Sequence, residues 1–143
     1  FDDFGGWKKG LPDAGERSVT KVSLFGGIVL ATTFVPNDDI CGYGGDSYLY
    51  GLYYETGVPY YEAVFANSSA SISYTDQNGD AQTDEQITGR TLLGQGMSSS
   101  LGIHMGAEEG AKGLIQQSTG VVLNLDIDPA FNLKSGITSW REE

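Results

Sequence analysis

The stretch SVTKVSLFGGIVLATTF, residues 18–34, decides the fold. It holds two β-rich runs joined at Phe25-Gly26-Gly27, where paired glycines supply the positive φ that a tight hairpin turn requires. The second run, Ile28-Val29-Leu30-Ala31-Thr32-Thr33-Phe34-Val35, is apolar with little alternation. That is the pattern of an inner strand covered on both faces, and Pro36 is expected to end it. Outward from this hairpin, residues 37–46 are rich in Asn, Asp and Gly and read as a loop. A strand of aromatic and aliphatic residues resumes at Tyr48-Leu49-Tyr50-Gly51-Leu52-Tyr53-Tyr54, and Glu55-Thr56-Gly57 turns the chain again. With a further run at 58–65, the pattern predicts a four-stranded antiparallel unit over residues 18–65.

The polar stretch 66–85 separates this unit from a second strand set, expected near 88–93, 101–105, 113–117 and 121–126. Gly51-Leu52 leading to Thr56-Gly57-Val58 recurs as Gly113-Leu114 leading to Thr119-Gly120-Val121, with one extra residue in the later copy. Setting aside the insertion leaves a period of about 43 residues, the length of a four-stranded propeller blade. The expected fold is therefore all-β, with antiparallel four-stranded blades forming a partial, C-terminal segment of a β-propeller. One blade is expected at 18–65, an insertion at 66–85, and a second blade with a closing strand at 86–143. A propeller needs at least four blades, so the remainder of the propeller or a companion chain is the first expected partner. A strand followed by a Thr-Gly turn is also common in any β protein, and a sandwich of eight short strands gives the same alternation.

The chain has 143 residues, a length that suits one core, and its 21 glycines are about twice ordinary usage and point to many tight turns. Nineteen acids against eight bases give a net charge of −11, which repels nucleic acid and anionic lipid. The same excess of carboxylates suits a divalent cation and an extracellular, calcium-rich setting. Cys41 is the single cysteine, so a disulfide within the chain is excluded; it is either a small buried hydrophobe or half of a bridge to another segment. No run of 18 apolar residues is present, so a membrane-spanning helix is not expected. With Phe1 in place of an initiating Met, a removed signal peptide, a propeptide or a larger upstream region is expected, a larger parent first among them.

The most specific local signal is Asp76-Gln77-Asn78-Gly79-Asp80-Ala81-Gln82-Thr83-Asp84, with side-chain oxygens at loop positions one, three, five and nine. A coiled loop with oxygens on alternate residues wraps a hard cation, so Asp76, Asn78, Asp80 and Asp84, with the carbonyl of Gln82, form a candidate Ca2+ site. It is not an EF-hand: Ala81 replaces the glycine at position six, and Ile87 stands where the bidentate Glu belongs. The alternative is an Asx-turn hairpin that binds nothing, but its clustered acids repel one another without a counter-ion. Catalysis has little support. Asp2-Asp3, Asp38-Asp39, Glu108-Glu109 and Asp126 with Asp128 read as solvated acid pairs, and His104 is the single histidine. Ser98-Ser99-Ser100 lacks the flanking glycines of a nucleophile elbow, and no Gly-rich phosphate loop leads into a helix.

Several of these segments together resemble one family. Gly15-Glu16-Arg17, Leu24-Phe25-Gly26-Gly27-Ile28-Val29, Thr32-Thr33-Phe34-Val35-Pro36-Asn37-Asp38-Asp39-Ile40-Cys41 and Tyr48-Leu49-Tyr50-Gly51-Leu52 look like the C-terminal propeller of the PilY/PilC family of type IV pilus tip adhesins and biogenesis factors. Gly113-Leu114-Ile115-Gln116-Gln117-Ser118-Thr119-Gly120 and the closing Ser139-Trp140-Arg141-Glu142 are similar to that family as well. The resemblance spans about residues 7–142, and its most specific part is the segment ending in Cys41. It implies a calcium-responsive, non-enzymatic protein at the pilus tip, outside the cell. Its partners would be the rest of the propeller, minor pilins, and a host or abiotic surface. The family's calcium loop falls on Asp76, Asn78, Asp80 and Asp84. Family members are long, whereas this chain holds about two blades, so it is either a piece or a separately encoded subunit. Two other classes fit the same strand pattern: a structural subunit of an extracellular filament, and a fragment of a quinoprotein-type propeller dehydrogenase. The vicinal cysteines of some such dehydrogenases are missing here.

Overall fold

The computed structural model describes residues 5–38, 42, 44–62, 64–65, 69–75, 81–87, 89–106 and 110–128. Among them the chain forms β1 (Arg17–Ser18), β2 (Ser23–Phe25), β3 (Ile28–Pro36), β4 (Gly45–Tyr53), β5 (Ser69–Thr75), β6 (Ala81–Ile87), β7 (Arg90–Gln95), β8 (Gly102–Gly106), β9 (Gly110–Gln116) and β10 (Val122–Ile127). Every strand pair is antiparallel, and the described residues contain no helix. No helix long and apolar enough to cross a membrane occurs among them either. The all-β, antiparallel class expected from the sequence is thus the observed one.

The decisive hairpin forms where its glycines place it. Gly26 and Gly27 have φ of 53° and 81°, the two positive values of a type I′ turn, and Phe25 pairs with Ile28 across it. β3 then pairs along its whole length with β4, from Ile28 opposite Tyr53 to Pro36 opposite Gly45. The run before the turn is not one strand. Both β1 and β2 pair with β3, but residues 19–22 bulge between them because four residues oppose only Ala31 and Thr32. Ser18 Oγ donates to the Thr32 carbonyl at 3.3 Å, and the Thr20 and Thr32 hydroxyls bond directly, which holds the bulge closed.

The described residues of 58–65 form no strand, and the strand beside β4 is instead β7, after the insertion. The sheet order is β1-β3-β4-β7, with β2 also on β3. Two features turn 58–65 away. Pro59 has no N–H to give to a ladder. Val64 and Phe65, 1% and 2% exposed, act as a plug, with the Phe65 ring lying on the backbone of Gly51. The segment expected at 88–93 to open the second unit therefore completes the first sheet. Beyond β7 the chain forms a three-stranded meander in the order β10-β9-β8.

The two Thr-Gly turns are built alike but lead to different ends. In the first, Tyr53 N–H donates to Val58 and Gly57 N–H donates to Tyr53, both at 2.8 Å. In the second, Gln117 N–H donates to Val121 at 2.8 Å and Gly120 N–H to Gln117 at 2.9 Å. Only the second turn returns the chain as a paired strand, β10.

One hydrophobic cluster joins the two larger sheets. Ile28, Leu30, Leu49 and Leu93 come from the first, Leu101, Ala111, Ile115 and Ile127 from or beside the second, with Val64 and Phe65 between. Burying each large aliphatic side chain contributes about 1.5–3 kcal/mol. The sheets are also stitched by polar contacts. The buried Ser47 Oγ donates to the Gly96 carbonyl at 2.5 Å and accepts from Ser98 N–H at 3.1 Å, and Ser98 bridges Gln117. Among the described residues β5 and β6 pair with each other alone, as a two-stranded sheet in the connection from β4 to β7.

Candidate functional site

The β5–β6 hairpin carries the calcium candidates. Its ladder runs from Ser69 opposite Ile87 to Thr75 opposite Ala81, so the five residues 76–80 are the connection that closes it. Asp76, Asn78 and Asp80 lie in that connection, outside the described residues. Gln82 and Asp84 belong to β6, opposite Tyr74 and Ile72. Among the described residues no three His, Cys, Asp or Glu side chains converge on a common point.

A second, fully described polar site lies on the face of the first sheet. Asp13 and Glu16 arrive on the segment before β1, which turns at Asp13 through the Glu16 N–H bond to the Asp13 carbonyl at 3.1 Å. The Glu16 side chain is 0% exposed, and each carboxylate oxygen is engaged twice. Oε1 accepts from Thr33 Oγ1 at 2.6 Å and from the Tyr50 hydroxyl at 2.8 Å. Oε2 accepts from Asp13 N–H at 3.3 Å and from Arg90 at 3.4 Å. Arg90 also pairs with Asp13, and its guanidinium lies 3.6 Å from the centre of the Tyr48 ring and 5.6 Å from that of Tyr50. β4 sets the two tyrosines on one face by alternation, and Arg90 opposite Tyr50 opens β7.

The electrostatics follow from that packing. Burial raises the Tyr50 phenol well above its ordinary value, the bond to Glu16 adds to this, and the Arg90 charge opposes it only in part. Burial works against the Arg90 charge, but the bond to Asp13 and the fields of Tyr50, Glu16 and Asp13 outweigh it and raise its pKa. With both oxygens engaged twice, the Glu16 carboxylate is a structural anchor. The cluster clamps the segment before β1 onto the sheet.

An open cleft of about 420 Å³ runs between residues 97–99 and 116–120. Three of its polar side chains are committed to the seam, while the Ser98 hydroxyl is buried without a hydrogen-bond partner among the described residues. Ser118 Oγ accepts from Met97 N–H at 3.0 Å, Ser99 Oγ accepts from Gln116 N–H at 3.1 Å, and Gln117 Nε2 donates to the Leu93 carbonyl at 2.8 Å. His104 lies exposed on β8 opposite Lys112, and Asp126 and Asp128 are exposed. Cys41, Asp2, Asp3, Asp39, Glu108 and Glu109 lie outside the described residues, and Asp38 is exposed.

The sequence reading missed the Arg90 cluster because its members are scattered from Asp13 to Arg90. The one available signal was Tyr48 and Tyr50 alternating on a strand that otherwise reads as buried. It also passed over a run of tyrosines around the first Thr-Gly turn. Tyr53 and Tyr54 pack edge to face at 5.2 Å between ring centres, whereas Tyr53 and Tyr60 at 5.5 Å and Tyr60 and Tyr61 at 4.3 Å meet at tilted angles. Trp7 lies flat against Gly57, and its indole N–H donates to the Tyr54 carbonyl at 2.7 Å. Compared with known proteins, the chain matches no family model, no curated protein and no solved structure.

Proposed function

We propose that this chain belongs to a calcium-binding, cell-surface protein of the type IV pilus tip that acts in pilus assembly and adhesion by binding and not by catalysis. The observation that carries the reading is the alternate-residue run of oxygen donors from Asp76 to Asp84, together with the segments that resemble the PilY/PilC propeller. A hairpin ladder that closes at Thr75 and Ala81 supports it, because three of the five donors, Asp76, Asn78 and Asp80, fall within the five residues between the paired strand ends. Carboxylates, a carboxamide and a backbone carbonyl are the oxygen ligands calcium takes. Asp76, Asn78 and Asp80 would hold the ion from the connection, with the Gln82 carbonyl beside it. Asp84 is the member set furthest along β6, about 10 Å beyond Ala81 at 3.3 Å per residue. The bound ion would supply charge neutralisation that orders the connection.

In this reading the five-stranded and three-stranded sheets are material of neighbouring propeller blades, and the rest of the propeller comes from another segment or a companion chain. Minor pilins and a host or abiotic surface are the further partners. Isothermal titration of the chain with calcium chloride tests the site. A dissociation constant on the order of 10⁻⁴–10⁻³ M is expected, as for extracellular modules, and Asp80→Ala should abolish the heat while leaving the fold intact. No binding at millimolar calcium, or equal binding by Asp80→Ala, rules the reading out.

A further inference from the structure

We infer that the tyrosine surface around the first Thr-Gly turn, formed by Tyr53, Tyr54, Tyr60 and Tyr61 with Glu55 and Glu62, is a docking surface for an arginine-rich segment of a partner protein. The rings touch in a continuous chain of edge-to-face and tilted contacts, and its outer end is open: Tyr61 is 73% exposed and Tyr54 40%. Tyrosine supplies large, rigid contact area at low entropic cost, which suits an interface anchor.

The partner's charge is set by the carboxylates. Tyr54 donates its hydroxyl to Glu55 at 2.8 Å, and such a bond pushes electron density onto the ring and strengthens its negative face. Glu55 and Glu62 add negative field at these rings. The bond to Glu55 raises Tyr54, followed by burial and the Glu55 charge; burial raises Tyr53, followed by Glu55. Tyr60 is pushed up to about 12, first by its bond to Tyr61, then by burial and by the fields of Tyr61, Glu62 and Tyr53. The chain's net charge of −11 adds long-range attraction for a basic partner and repels a second copy of itself.

The same sheet already shows this recognition within the molecule. Arg90 rests on Tyr48 at 3.6 Å, beside Tyr50, with Asp13 and Glu16 at its edge. The outer surface repeats that combination of tyrosine faces and flanking carboxylates. A planar guanidinium, which both stacks and pairs, fits it better than an ammonium does.

The experiment is fluorescence anisotropy at physiological ionic strength. The probes are a fluorescein-labelled peptide carrying four arginines spaced by Gly-Ser and its lysine counterpart. The arginine peptide should bind more tightly. Tyr61→Ala, which leaves the net charge unchanged, should weaken it about fivefold, as removal of an exposed cation–π contact does. Asp126→Asn, which removes a charge at exposed β10, should stay within twofold of the parent. Tyr61→Leu, which keeps apolar area without a π face, should weaken binding as Tyr61→Ala does. Equal loss in Tyr61→Ala and Asp126→Asn would show general attraction to an acidic protein and overturn the proposal. No loss in Tyr61→Ala, or full rescue by Tyr61→Leu, would overturn it too. So would displacement of the peptide by a neutral oligosaccharide, which would give the surface to glycans. None of these outcomes depends on calcium, so failure here leaves the hairpin site untouched.

Discussion

The chain holds two tyrosine clusters on one stretch of backbone, separated by a few residues of β4, and they differ in what completes them. At Tyr48 and Tyr50 the cation and the carboxylates come from within the molecule, Arg90 from β7 and Asp13 and Glu16 from the segment before β1. At Tyr53, Tyr54, Tyr60 and Tyr61 the carboxylates are neighbours in sequence and the outer ring faces solvent. The difference teaches that similar chemistry does different work according to burial. Beneath the segment before β1 the Glu16 carboxylate is buried and held from four sides, so it fixes structure and gains value from a low local dielectric. At the surface the same groups are screened and contribute little to folding, which leaves them available to a partner.

The contrast breaks most sharply at Glu16. Glu16→Ala leaves Thr33 and Tyr50 without their acceptor and takes one of two carboxylates from Arg90. Removing one partner of a buried charged network costs about 3 kcal/mol. Urea unfolding should show a lower midpoint with an unchanged slope, and Glu16→Gln should lose less because it keeps the shape and one acceptor. A change under about 1 kcal/mol in Glu16→Ala, the range of an exposed pair, would mean that the clamp is not structural.

Gly57→Ala probes the other end of the segment before β1 and should have a smaller, local effect. Gly57 has a φ of 67°, and an added Cβ would overlap the Trp7 ring. The left-handed backbone costs an alanine about 1 kcal/mol, and the ring must leave as well. The Trp7 indole N–H should lose its protection from hydrogen exchange while the Arg90 cluster keeps its own. Loss of protection at both ends would show that they act as one clamp and would erase the difference between the two clusters.

How much of this was legible in the sequence depends on how local each signal is. Gly26-Gly27 dictated a turn of one type, and the apolar run after it could only be an inner strand, so the hairpin and the all-β class were readable from adjacent residues. The partner of β4 was not. The run at 58–65 has strand composition, but Pro59 and the plug made by Val64 and Phe65 override it, and the strand that pairs lies beyond a long insertion. Sequence propensity is silent on such non-local closure. The candidate donors at 76–84 are named from sequence because they alternate within nine residues, and three of them, Asp76, Asn78 and Asp80, lie outside the described residues. The Arg90 cluster was not legible, because Asp13 and Arg90 meet only once β1, β3, β4 and β7 have assembled.

The finest distinction between the clusters is how each responds to alkali. Tyr50 is 4% exposed and its phenol is raised in the fold, so the folded chain keeps that proton where an unfolded one loses it. A group raised on folding contributes stability that is present below its unfolded value, about 10 for tyrosine, and is lost as pH rises from there toward the folded value. The parent should therefore lose stability steeply above about pH 10. Tyr50→Phe should be less stable at pH 8 by about 1.5 kcal/mol, the worth of one hydrogen bond to a charged acceptor, but should decline more gently above pH 10. Tyr60, pushed up to about 12, titrates over the same range, so some slope remains in that variant. Tyr60→Phe should flatten the decline less, because solvent screens the outer cluster. Urea midpoints at pH 8, 9.5, 10.5 and 11 check both variants, and parallel curves for Tyr50→Phe and the parent would show that burial does not set the two clusters apart.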